Sequence, residues 1–159
     1  MTVNTAQGAK IYIGAEDQDN SVDTQGEYES ESWQLIGEFE DLGEFGDAWN
    51  TTEFTALADG RVRRFKTTRD AGQFDLVIGF DKDDTGQSNL VTALDSKYNY
   101  TFRVELDDAP SGSPSSPTTW YFRAMGLSNR RVIGTNDNIV RRRVGMAVNS
   151  DIIEVAAAS

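Results

Sequence analysis

Residues 98–107 read YNYTFRVELD. Tyr98, Tyr100, Phe102, Val104 and Leu106 take alternate positions, and Asn99, Thr101, Arg103, Glu105 and Asp107 fill the places between. Successive side chains of a strand point to opposite faces, so strict alternation over this length marks a strand with one apolar and one polar face. Working outward, 72–80 (GQFDLVIGF) repeats the pattern, with Phe74, Leu76, Ile78 and Phe80 on one face. Further strands are expected at 10–14, 31–37, 51–58, 61–67, 118–127 and 138–148, all rich in β-branched and aromatic residues. One helix is expected over 84–97, where Asp84 or Thr85 caps a segment with Leu90, Val91 and Leu94 at helical spacing. Residues 1–30 read as an N-terminal arm and loop region, acidic and polar from 15 onward. Residues 108–117 hold all three prolines and read as a flexible loop. A single domain over 1–159 follows, mainly β, as a β-sandwich or partly closed barrel with one flanking α-helix.

Composition removes several kinds of chemistry. The chain has no cysteine and no histidine, so it has no thiol nucleophile, no disulfide and neither of the commonest zinc ligands. The N-terminal MTVNTAQGAK lacks the basic-then-apolar order of a secretory signal, and no apolar run reaches the roughly 20 residues of a membrane span. DKDDTG at 81–86 opens like a calcium loop, but the twelfth position is Thr92 where the bidentate Glu belongs. A strand end followed by a capped helix accounts for the same residues. DQDNSVD at 17–23 reads as a solvated loop. No glycine-rich phosphate loop occurs, and carboxylate pairs in so acidic a chain carry no information about glycosidic cleavage. No catalytic residue, metal or cofactor is expected.

Charge is unevenly placed. The net charge is −11, yet residues 1–60 hold fourteen acidic side chains against Lys10 alone, whereas 61–159 hold twelve acidic and fourteen basic. Two unlike surfaces of this kind suit copies that meet head to tail. RVRR at 61–64 and RRR at 141–143 do not form single patches, because neighbouring arginines on a strand face opposite ways.

Residues 38–49 read EFEDLGEFGDAW, mixing five carboxylates with Phe39, Leu42, Phe45 and Trp49. One reading is a loop, 38–50, that buries these apolar groups against a neighbour. The other is a local loop that folds its aromatics back onto its own core.

Ordered along the chain, these segments resemble one family. An acidic, glycine-punctuated loop precedes TEFTAL (52–57), and RVRRFKTT leads through RDAGQFDLVIGF into DKDDTGQSNL and the helix. YTFRVELDD, TTWYFRAMGLSN and DNIVRRRVGMAVNSDI follow. This series over roughly 31–153 is similar to the major tail tube protein of long-tailed, lambda-like siphovirus bacteriophages. The family's last strand often ends in a small residue and glycine, where this chain has Val148, Asn149, Ser150 and Asp151.

The resemblance implies a structural virion protein that self-assembles into stacked hexameric rings. One inner sheet from each copy joins a multi-subunit barrel around a channel. The partners it implies are the chain itself, a tape-measure protein, and tail terminator and tail tip proteins, with transient, non-specific passage of DNA during ejection. The place is the virion tail, assembled in the bacterial host cytoplasm, either of an intact phage or of a related particle such as a gene transfer agent. Under this reading Glu40, Asp41, Glu44 and Asp47 meet Arg61, Arg63, Arg64, Arg141, Arg142 and Arg143 between copies. Glu53, Asp75 and Glu105, opposite the apolar stripes, are candidates for a negative lumen wall, with Arg103 on the face of Glu105. The competing reading is a monomeric β-sandwich binding module, for example one that takes carbohydrate.

Overall fold

The strand around Phe102 lies near the middle of the sheet. In the computed structural model of the chain, which describes residues 3–112 and 114–158, β7 (Asn99–Glu105) is flanked by β1 (Lys10–Asp17) and β8 (Thr119–Val132). Phe102 sits opposite Ile13 on one side and Phe122 on the other. The sheet continues through β9 (Arg141–Val148), β6 (Gln73–Gly79) and β3 (Phe39–Asp41). It ends on the other side at β2 (Gln34–Ile36). A short β10 (Ile153–Val155) adds to β8, and all these pairings are antiparallel.

The two ends of this path, β2 and β3, are neighbours in sequence, separated only by Gly37 and Glu38. The sheet therefore rolls until its edges nearly meet, and its concave face encloses Ile11, Ile13, Phe74, Leu76, Ile78, Phe102, Val104, Phe122, Val144 and Met146. Glu38 turns the corner with φ 57°. Helix α2 (Thr85–Asp95) seals the seam. Asp84 Oδ2 accepts from Gln87 N (2.9 Å), capping the helix, and from Gly37 N (3.0 Å). Gln87 Nε2 donates to the carbonyls of Gly37 (3.2 Å) and Gly79 (2.8 Å). Leu90 and Ala93 of α2 are buried in the core. A Cβ on Gly86 would run into the Leu35 carbonyl, so helix and sheet touch backbone to backbone at this point. The 81–86 carboxylates thus serve a strand end and a helix cap.

A second layer was not expected from the sequence. Thr24 and Glu27 form a capping box for a short helix α1 (Gln25–Glu29). Tyr28 of this helix is buried, stacked on Tyr121 at 5.5 Å, and Trp33 leans on the same ring at 6.0 Å. The segment is a strap across the convex side of β7 and β8. It is held by Asp17, which accepts from Ser21 N, Val22 N and Arg123 Nη1. Burial alone would raise the Asp17 pKa, but these hydrogen bonds outweigh it and hold the carboxyl below its ordinary value. Arg123 Nη2 also reaches Asp23 at 3.0 Å.

Candidate assembly surface

One element takes no part in the strand pairing of this body. Strands β4 (Ala48–Thr55) and β5 (Val62–Asp70) pair only with each other, and every residue of both is exposed. An isolated two-stranded hairpin is at best marginally stable in water, and its outer edges offer unpaired N–H and C=O groups. Its two faces differ. Thr52 opposite Phe65 and Phe54 opposite Arg63 put both phenylalanines on one face. The other face holds the Glu53–Arg64 ion pair (3.1 Å) and Thr51 opposite Lys66, whose ammonium lies 5.1 Å from the Trp49 ring. At the tip Leu57 is fully exposed, and Asp59 pairs with Arg63 at 2.7 Å. At the base Arg69 meets Asp47 (3.7 Å) and Asp151.

A second exposed region lies at the far end of the β8–β9 hairpin. Val132, Ile133, Ile139 and Val140 face solvent there, among Arg130, Arg131, Arg141 and Arg143.

The residues of 38–50 do not act as one loop. Phe39–Asp41 form β3, and Ala48 onward belongs to β4, leaving 42–47 as the connection. Leu42 is buried in the chain's own core. Phe45 packs on Phe122 (5.4 Å), Trp120 (6.0 Å) and Phe74 (6.2 Å), and Phe39 is half-buried against the same cluster. Here the folded-back alternative describes the chain. The barrel is open beside β3, and these side chains fill it. Only Trp49, on the hairpin, is left substantially exposed.

The charged candidates scatter. Glu40 pairs with Arg141 within the chain (2.5 Å), and Asp41 accepts from Gly43 N. Glu44, Arg61 and Arg143 are exposed, whereas Arg142 turns inward and is buried. Glu53 and Asp75 are exposed on strand faces. Glu105 is four-fifths covered and pairs with Arg103 at 3.4 Å. Arg103 itself lies over the Tyr12 ring at 4.0 Å and beside Trp33 at 5.3 Å, beneath the strap. That cover removes Glu105 from the exposed carboxylates a lumen wall needs.

No protein-family model and no curated protein sequence matches the chain. Solved structures do. A chain in the cryo-EM structure of an extracellular contractile injection system, the PVC sheath/tube terminator in its extended state, superposes with a TM-score of 0.69. The two are 12% identical, over 98% of this chain and 99% of that one. The SPP1 tail tube, solved by solid-state NMR and cryo-EM, gives 0.66 at 12% identity, over 96% of this chain and 78% of that one. The tail of an empty gene transfer agent particle, refined with C6 symmetry, gives 0.64 at 15% identity, over 97% and 100%.

The chain has the tail tube fold.

Within that fold the expected mainly β body with a flanking helix is present. Its two facing layers are halves of one continuous sheet folded over on itself, joined at β2–β3. The arginines at 123, 130 and 131 were not singled out from the sequence. The signal available for the last two was RR at 130–131 facing RRR at 141–143 across a glycine-containing turn.

Proposed function

We propose that this chain is the repeating structural subunit of a tail tube, closing into six-fold rings that stack around a channel. The observation that carries this is the β4–β5 hairpin, exposed along its whole length on a body with the tail tube fold. Both outer edges of the hairpin are open to pairing, and its Phe54–Phe65 face gives the paired strands something to bury. Hairpin edges pairing with neighbouring copies would add strands to the inner barrel. Their polar faces, with Glu53, would line the channel, and Asp75 is the other exposed carboxylate available to it.

A net negative wall suits DNA passage. Each phosphate neutralised by a basic lumen would add salt-dependent affinity and hold the genome in place. Repulsion from carboxylates reaches only about 8 Å at physiological salt and keeps DNA off the wall without blocking it. On the hairpin's polar face Glu53 is paired with Arg64 and Lys66 adds a further positive charge, so a negative wall would have to draw on carboxylates outside the hairpin, such as Asp75.

The role is structural and non-catalytic, in a virion tail built in the bacterial cytoplasm. A tape-measure protein would occupy the channel, and terminator and tip proteins the two ends. The test is negative-stain microscopy of purified protein over a range of concentrations. Rings or tubes about one subunit thick in the wall are expected. A featureless monomer at every concentration refutes the reading and is what a carbohydrate-binding module would give.

A further inference from the structure

The distal end of the β8–β9 hairpin holds a charge arrangement that one chain leaves incomplete. Across this ladder Arg130 stands directly opposite Arg143, and Arg131 directly opposite Arg142. Like charges placed this way repel. Arg130, Arg131 and Arg143 reach solvent. Arg142 does not: it is 8% exposed, on the same face as the core residues Val144 and Met146, with its guanidinium 5.3 Å from the Phe80 ring. Neither Nε nor Nη1 of Arg142 meets a hydrogen-bond partner among the described residues, and the neighbouring Asn129 Oδ1 is also buried without one. None of the ion pairs among the described residues includes Arg142. Burial, with Arg131 across the ladder, pushes its pKa below the ordinary guanidinium value. Buried donors are almost always satisfied, and a buried charge without a counter-ion is strongly unfavourable.

We propose that Arg142 and Arg131 form a socket for a carboxylate from the acidic stretch 16–31 of a second copy of this chain. Nε and Nη1 of Arg142 are covered, so the incoming carboxylate would meet the Nη2 end of this guanidinium together with the exposed guanidinium of Arg131. The apolar collar of Phe80, Ile133, Ile139 and Val140 would exclude water from the pair once a copy is seated. Residues 16–31 hold seven carboxylates and no basic residue. Only Asp17 and Asp23 pair with an arginine of their own chain. In the next acidic stretch Glu40 and Asp47 are already paired and Asp41 accepts from Gly43 N, so fewer carboxylates stand free there than among Asp19, Glu29 and Glu31 and their neighbours. Socket and acidic stretch lie on different elements, so each copy presents both, and the contact repeats along an open stack. The inference rests on the tube reading and assigns one of its contacts.

The test separates a waiting socket from a structural arginine. For Arg142→Met, the melting temperature of dilute monomer should rise by about 2–4 °C, because an unpaired buried charge is removed. The concentration needed for assembly should increase roughly thirtyfold or more, because the seated carboxylate loses its partner. Arg142→Glu should abolish assembly, and combining it with Asp19→Lys, Glu29→Lys and Glu31→Lys should restore it. A lower melting temperature for Arg142→Met makes the residue structural and overturns the socket. Failure of the combined variant to assemble overturns the assignment to 16–31. Wild-type protein that never assembles defeats the tube reading itself, and the socket with it. Wild type and Arg142→Met assembling alike defeats the socket alone.

Discussion

Replacing Phe54 and Phe65 together by Ser should abolish assembly while leaving the monomer's stability almost untouched. Phe54 is 56% exposed and Phe65 54% exposed, so the isolated chain gains little from either. Surface changes of this kind stay within about 0.5 kcal/mol, or about 1–2 °C in melting temperature for a chain of this size. In a ring the exposed half of each ring system becomes buried. Full burial of a phenylalanine is worth about 1.5–3 kcal/mol, so the remaining halves together contribute about 1.5–3 kcal/mol per subunit contact. That corresponds to roughly 10- to 150-fold in the affinity of each contact. Sedimentation velocity against concentration reads the assembly, and thermal melting of the dilute protein reads the fold. Leu42→Ala is the control with the opposite signature. Leu42 is buried in the core, and its truncation should cost about 2–5 kcal/mol and lower the melting temperature by about 5–15 °C. If the double phenylalanine variant melts as low as Leu42→Ala, the hairpin folds against its own body. If it assembles like wild type, the hairpin is not the contact. Either result refutes the reasoning.

Other outcomes follow from the seam, the strap and the surface charges. Gln87→Ala leaves the Gly37 and Gly79 carbonyls without their side-chain donor and should destabilise the chain by about 1–3 kcal/mol, measured by denaturant unfolding. Gly86→Ala should be more damaging than an ordinary helix substitution, because its methyl group meets the Leu35 carbonyl; a neutral result would mean that helix and sheet separate readily. The Asp17 carboxyl titrates lower in the folded chain than in the unfolded one, so its stabilising effect is complete above the ordinary value near 3.8 and is lost as pH falls through the folded value. Asp17→Asn should therefore flatten the acid limb of a stability-versus-pH curve. Assembly rates should fall with rising salt if the exposed arginines steer the encounter, although any one rim pair contributes only about 0–1 kcal/mol; a salt-independent rate would count against steering.

The sequence made the body legible where one physical rule dominated. In β6 the buried face and the polar face alternate cleanly, and in β7 Phe102 and Val104 keep the core face although Thr101 on the other face is also buried, so period two located both strands and named Phe74, Leu76, Ile78, Phe102 and Val104 as core residues. The helix was legible because a capping carboxylate and apolar spacing coincide at 84–95. The strap was not, because a single buried tyrosine in an acidic, polar stretch leaves no periodic trace, and α1 is only five residues long. The loop at 42–47 resisted for a different cause. Its sequence is equally compatible with aromatics turned inward or outward, and only the opening beside β3 decides. For the hairpin, composition predicted strands at nearly the right place but could not show that they leave the sheet, since a partner's face and an own-core face demand the same residues. Arg142 was hidden by the alternation rule itself, which assigns arginines to faces without saying which face is covered.

The join of β2 to β3 has a consequence for how copies can connect. Because the sheet rolls until its two ends are consecutive in the chain, the strands that end its order, β2 and β3, are only three residues long. Strands that short are poor templates for pairing. The edge that β8 leaves unpaired beyond Ala124 is flanked by α2, where Leu94 meets Gly126, whereas the hairpin keeps one open edge on β4 and one on β5. In the language of polymer chemistry each copy is, through its hairpin, a bifunctional monomer for strand pairing. Bifunctional monomers make lines or closed loops and cannot branch, so strand pairing between copies is steered away from the cross-linked mats that edge-rich β-proteins form.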